Sequence, residues 1–194
     1  LLAKRYYRNT KTNMTTKTAT KVMTKATKLS VLFVCLGNIC RSPTAHGVFA
    51  KLVEQGGYGD LIQVDSAGTG DWHLDHAPDQ RTTQVAASKG YDLSELRARL
   101  VTSADFSEFD YIMAMDNANL KDLRAMQPDT YTGHLGLFLD FSEQSEVQEV
   151  PDPYYGGEDG FELVFGLVED ASKGLLRHIQ SNHPQETHFR DQGA

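Results

Sequence analysis

An apolar run, Ser30-Val-Leu-Phe-Val-Cys35, leads through Leu36, Gly37, Asn38, Ile39 and Cys40 to Arg41, and then to Ser42-Pro43. A short apolar segment that meets Gly and Asn and restarts at Ser-Pro predicts a buried strand, a tight loop and a helix N-terminus. This feature constrains the chain most, because a strand joined to a helix by so short a loop belongs to layered α/β architectures. It also sets a chemistry. Loop N–H groups and the positive end of a helix dipole converge on one point, where an anion is cradled and a thiol gives up its proton readily. Gly37 permits close backbone approach, and Asn38 tolerates a left-handed conformation. The inert alternative for Cys35, a small buried hydrophobe at a strand end, is less consistent with those neighbours.

Strand and helix signals alternate beyond the loop. Thr44 to Glu54 places Ala45, Val48, Phe49, Leu52 and Val53 at helical spacing, and Gly56-Gly57 ends it. Leu61 to Asp65 predicts a second strand, with Ser66-Ala-Gly-Thr-Gly70 as the following loop. Pro78 to Lys89 predicts a helix closed by Gly90, and Phe109 to Ala114 a third strand. Asp116 is a good N-cap for a helix running to about Met126, and Leu135 to Leu139 predicts a fourth strand. Pro151 to Gly157 reads as a loop, and Asp159 to Ser181 as a long amphipathic helix. The expected fold is α/β: a three-layer sandwich with a central, mostly parallel four-stranded sheet flanked by helices. Ligands in such sheets sit outside the carboxyl ends of strands, where the Cys35 loop falls.

Charge divides the 194 residues sharply. Residues 1–29 carry eight Lys/Arg and no acid, which leaves 11 bases against 26 acids, a balance of −15, for the rest. An acidic body argues against nucleic-acid binding and makes any anion site a local affair, with Arg41 supplying the charge. No apolar run approaches the ~20 residues of a membrane span. Two cysteines exclude a disulfide-dense scaffold and fit a reducing compartment, so a cytoplasmic location is expected. Residues 1–29 are expected to be a disordered Thr/Lys-rich extension, 30–182 the domain, and 183–194 a flexible tail. The chain begins with Leu, and a misplaced start (Met14 or Met23) is favoured over a targeting segment.

From Ser30 to about Ser181 the chain resembles the low-molecular-weight protein tyrosine phosphatases. The resemblance rests on Val34 to Pro43 and on Asp152-Pro-Tyr-Tyr155, over a hundred residues apart, with Ser66-Ala-Gly-Thr69, Trp72, Pro78-Asp79, Asp116 and Asn119 between. It implies a cysteine nucleophile at Cys35 and a phosphate-binding guanidinium at Arg41, whose planar fork matches two phosphoryl oxygens as a lysine does not. Ser42 would hydrogen-bond the sulfur and ease its departure. Asp152 would be the general acid and then base, although Asp before Pro is also an ordinary turn signal. The loop residues Leu36 to Cys40, with Trp72, Tyr154 and Tyr155, would bind the phosphate and the ring, and Ser66 and Asn38 would hold the loop in shape. Cys40 would capture oxidised Cys35 as a reversible disulfide, or simply be a buried small residue.

The resemblance implies no cofactor and no metal; His73 and His76 are read as solvated loop residues. The implied partners are phosphotyrosine-bearing proteins, with a tyrosine kinase as a further candidate, and the protein is expected to be a monomer or weak dimer. Two positions depart from the family: His46 stands where a glutamate is usual, and Leu96 where some members have a histidine supporting the loop asparagine. Arsenate reductases of this architecture relay a disulfide through further cysteines, which this chain lacks. Protein-arginine phosphatases tend to carry threonine at the position of Ile39 and lack the tyrosine pair. A catalytically dead binding module should have lost Cys35, Arg41 or Asp152.

Overall fold

The computed structural model describes residues 28–157 and 159–184. The expectations for residues 1–27 and for the tail beyond 184 lie outside the described residues. Four strands form one parallel sheet: β1 (Leu29–Cys35), β2 (Ile62–Gly68), β3 (Tyr111–Ala114) and β4 (His134–Leu137), in the order β2-β1-β3-β4. The crossovers carry α1 (Arg41–Gln55), α2 (Gln80–Ser88), the short α3 (Asp105–Glu108) and α4 (Asn117–Met126). A 3-10 turn (Phe138–Phe141) follows β4, and α5 (Asp159–Asn182) closes the fold.

β1 is central and buried along its whole length, as a strand covered on both faces must be. Its side chains alternate between two cores. Leu29, Val31, Phe33 and Cys35 face Val48 and Phe49 of α1 and Val164, Phe165 and Val168 of α5. Leu32 and Val34 face Leu120 and Leu123 of α4, together with Phe106 and Phe109. These two clusters on opposite faces make the three layers. Phe33 anchors the first, with edge contacts to Phe49 at 5.6 Å and to Phe138 at 4.9 Å.

Some boundaries differ from the sequence expectation. Leu29 joins the domain as the first residue of β1, where it pairs with Ile62. β2 runs on through Ser66-Ala-Gly68, residues expected to form a loop, because pairing with Phe33, Val34 and Cys35 outweighs their turn chemistry. β3 starts at Tyr111 instead of Phe109, since the Phe109 N–H is spent on the Asp105 carbonyl at the end of α3. β4 stops at Leu137, where the chain turns to drive Phe138 into the core. The sheet is wholly parallel.

Strand order places the site. The chain steps from β1 to β2 on one side, then crosses to β3 on the other. The crevice opens where that order reverses, at the carboxyl ends of β1 and β3. Cys35 ends β1 there, and Asp116 follows β3 by two residues.

Candidate active site

The loop between β1 and α1 turns its carbonyls outward. Thr69 and Gly70 donate to the Cys35 and Leu36 carbonyls at 2.9 and 2.8 Å, and Asp79 donates to that of Ile39 at 2.8 Å. The Thr44 hydroxyl donates to the Cys40 carbonyl at 2.7 Å. A trans peptide sets N–H opposite C=O, so the N–H groups of Leu36, Gly37, Cys40 and Arg41 point away from those partners. The Asn38 N–H reaches the Cys35 sulfur at 3.2 Å. Asn38 sits at φ 53°, a left-handed turn that asparagine tolerates. At Gly37 the constraint is space: a Cβ would lie 3.0 Å from the His73 ring.

Behind the sulfur is a buried polar network. The Ser42 hydroxyl lies 3.0 Å from Cys35 Sγ. Asn38 Nδ2 donates to Ser42 Oγ at 2.8 Å and to Ser66 Oγ at 3.0 Å, while its Oδ1 accepts from the Arg99 N–H at 3.0 Å. The Asn38 side chain is therefore used behind the loop, and Asn38, expected both to shape the loop and to bind phosphate, is not among the residues lining the cavity. Ser66 joins the same network. It is the Arg99 N–H that meets the Asn38 carbonyl.

Arg41 is the first residue of α1 and is 4% exposed. Its Nη1 bonds Asp116 Oδ2 at 2.5 Å and the Val150 carbonyl at 3.3 Å, and its Nη2 bonds Asp152 Oδ2 at 3.2 Å. Burial alone would lower its pKa, but Cys35 and the two carboxylates outweigh burial and hold the guanidinium above its ordinary value. Asp116 was legible from sequence as the N-cap of α4, whose Asn119 N–H it accepts at 2.7 Å. Its grip on Arg41 was not, since that pairing spans the sheet.

Asp152 Oδ1 accepts from the Tyr154 N–H at 3.0 Å, an Asx turn that aims Oδ2 at Arg41. The turn thus occupies Oδ1 and leaves Oδ2 to face Arg41 and the cavity. Arg81 holds this loop from α2. It is gripped by Asp79 at 2.9 Å, donates to the Tyr154 carbonyl at 3.2 Å, and stacks 4.6 Å from the Phe161 ring and 5.3 Å from that of Tyr154. The Arg81 bond lowers the Asp79 pKa, with burial opposing it.

A cavity of about 330 Å³ opens onto Cys35, Arg41 and Asp152. Leu36, Gly37, Ile39 and Cys40 line it from the loop, and Trp72, Tyr154 and Tyr155 from the rim. Trp72 is 68% and Tyr155 93% exposed, so both rings are free to meet a ligand. His73, expected in solvent, also lines this cavity; its ring stands 6.5 Å from that of Tyr154. Cys40 is buried and free, as is Cys35, and burial pushes the Cys40 thiol up to about 12. Sequence reading missed the places of His73 and Arg81 and the bridge from Asp116 to Arg41; the nearby signals were Pro78-Asp79 before α2 and Asp116 as a cap.

Comparison with known proteins agrees with this geometry. Residues 30–185 match the family model described as low molecular weight phosphotyrosine protein phosphatase. The low molecular weight protein-tyrosine-phosphatase YfkJ of Bacillus subtilis is 43% identical over 152 residues, covering 78% of this chain and 96% of that protein. The crystal structure of a protein tyrosine phosphatase from Entamoeba histolytica with Hepes in its active site superposes with a TM-score of 0.77 at 41% identity, covering 80% of this chain and 99% of that one. A Drosophila arginine phosphatase superposes at 0.73 with 33% identity, covering 78% and 98%. The chain belongs to the low molecular weight phosphotyrosine protein phosphatase family.

Proposed function

We propose that the protein hydrolyses phosphotyrosine monoesters on proteins in two steps at Cys35. The observation that carries this reading is one cavity, walled by aromatic rings, onto which a thiol, a buried guanidinium and a carboxyl all open. In the first step Cys35 Sγ attacks phosphorus in line, the S–P bond forms and the P–O bond to the phenol breaks. Asp152 gives its proton to the departing oxygen, a contribution of ~10²–10⁴-fold for so poor a leaving group. Arg41 and the loop N–H groups hold the phosphoryl oxygens through transfer. In the second step the Asp152 carboxylate takes a proton from water, the new O–P bond forms, and the sulfur leaves as thiolate with the Ser42 hydroxyl donating to it.

The cavity favours a phenolic leaving group. Ile39, Trp72, Tyr154 and Tyr155 offer apolar walls to a ring. The likeness to the Drosophila arginine phosphatase supports a second reading, hydrolysis of phosphoarginine. Turnover of p-nitrophenyl phosphate and phosphotyrosine peptides, against phosphoarginine and phosphoserine peptides, separates them. Phosphotyrosine is expected to win, with activity abolished in Cys35→Ser and reduced at least a hundredfold in Asp152→Ala. Full activity in Cys35→Ser ends this mechanism.

A thiol nucleophile has to stay reduced, which supports the cytoplasm as its setting. Among the described residues no helix is long and apolar enough to cross a membrane. Cys40, beside Cys35 in the same loop, is the candidate to trap an oxidised Cys35 as a disulfide. Peroxide treatment followed by thiol rescue tests this: wild type should recover and Cys40→Ser should not.

A further inference from the structure

His46 lies on α1, and neither step above uses it. Its Nδ1 lies 3.3 Å from Ser66 Oγ, and its side chain is 17% exposed. Counting protons along the network leaves Ser66 one proton to place and one lone pair still open, so the His46 tautomer sets the direction of that contact. Asn38 Nδ2 can only donate, and it donates to both Ser66 Oγ and Ser42 Oγ. Ser66 Oγ therefore accepts from Asn38, and His46 Nδ1 is the acceptor at hand for its own proton. Ser42, likewise accepting from Asn38, has its one proton free for Cys35 Sγ at 3.0 Å or for the Ala67 carbonyl at 3.3 Å. The sulfur lies at the shorter distance and gains charge as it leaves phosphorus, so it wins.

We propose that neutral His46, accepting at Nδ1 from Ser66, anchors a one-way hydrogen-bond chain that keeps the Ser42 hydroxyl aimed at Cys35. His46 is thus a positioning residue, acting through Ser66, Asn38 and Ser42 without touching substrate. The chain rests on the two-step reading above, because its benefit falls on the step in which sulfur leaves. Protonated His46 would turn Nδ1 into a donor. Ser66 Oγ would then face two donors, its own proton would lose its acceptor, and the hold on the Asn38 amide would weaken.

The charges around the ring fit a neutral imidazole. Asp65 on β2 is the facing acid, 3.9 Å from Nδ1 and beyond hydrogen-bond reach. Arg99, from the segment after α2, occupies that carboxylate with Nη2 at 2.8 Å and Nε at 2.9 Å. Burial lowers the His46 pKa from its ordinary value, Asp65 opposes the shift and Arg99 adds to it.

Two measurements on the full chain test the proposal. Nitrogen NMR of imidazole-labelled protein at neutral pH should place the His46 proton on Nε2 and leave Nδ1 bare; a proton on Nδ1 overturns the chain. Kinetics with p-nitrophenyl phosphate should show kcat down about tenfold in His46→Leu, the equivalent of one net hydrogen bond, with KM within about twofold. His46→Gln, whose carbonyl can accept from Ser66, should recover most of that loss and move the acid limb of kcat to lower pH, since an amide does not titrate. Equal kcat in wild type and His46→Leu, or an unmoved acid limb in His46→Gln, overturns it. The tautomer is read without turnover, so it stands or falls separately from the role of Cys35, which Cys35→Ser tests.

Discussion

Arg41 carries two duties that a lysine could not combine. One nitrogen of its fork is fixed to Asp116, and the other faces Asp152 and the place where phosphoryl oxygens would bind. Asp116→Asn keeps the cap of α4 but removes the charge that aims the guanidinium. Loss of one charge-assisted bond, about 2 kcal/mol, corresponds to a fall of roughly 30-fold in kcat/KM on p-nitrophenyl phosphate. Arg41→Lys should lose more, because the buried pocket matches a planar fork and a point charge cannot span both carboxylates. His46 makes a stability prediction at the same scale. Its folded pKa lies below its unfolded one, so between the two values the unfolded chain holds the extra proton. The His46 contribution is fully present above about pH 6.5 and is lost as pH falls through the lowered value. Urea unfolding of wild type and His46→Gln across pH 5–7 should therefore diverge toward the acid side. The meeting of Cys35, Arg41 and Asp152 at one cavity was expected from the sequence because each lies in a motif with its own chemistry. His73 and Asp116 in its bridging role were not, since no local pattern tells that a loop ring will fold over Gly37 or that an N-cap will grip a residue across the sheet.

Elements were legible where burial and period agree, and less so where pairing overrides composition. The helices from Arg41, Asn117 and Asp159 followed from their apolar stripes and caps. Ser66-Ala-Gly68 reads as loop in isolation and became strand only because β1 offered it a ladder. α3 was missed, since four residues carry too little periodicity to see. The long α5 tests element packing directly. At Gly174 a Cβ would stand 1.8 Å from the Phe141 carbonyl, a backbone atom that cannot step aside. Gly174→Ala should cost about 3 kcal/mol in denaturant unfolding, against the ordinary gain of alanine in a helix. One turn earlier, Asp170 accepts from the Ser142 hydroxyl and from the Glu143 and Gln144 N–H groups at 3.1 Å each, pinning the segment after the 3-10 turn. Burial opposes, but these bonds and Arg177 hold its pKa below the usual carboxylate value. The stability it adds is present above about pH 3.9 and is lost as pH falls through its folded pKa. Asp170→Asn should release this segment to faster amide exchange while leaving turnover intact.

The whole molecule carries a net charge of −7, made of −15 over residues 30–194 and +8 over residues 1–29, so the domain around the site is strongly acidic. Attraction to phosphate is confined to the loop, while approach from a distance is repulsive for an acidic peptide. Raising salt from about 20 to 200 mM shortens the screening length severalfold, so kcat/KM for a phosphopeptide with acidic flanks should rise. The same change should leave a peptide with neutral flanks nearly unaffected. A fall for both would place the dominant field at the cavity mouth instead. Strand order has a further consequence, one of timing. β1 leaves the ribosome before either of its neighbours is made, and Asp152 comes over a hundred residues behind Cys35. Until Arg81 can hold the Tyr154 carbonyl and stack on Phe161, a nascent chain has Cys35 without Asp152 in place. The site begun at Cys35 is thus completed only as translation reaches α5, and a chain released before Asp152 carries the thiol and guanidinium without the carboxyl that faces them.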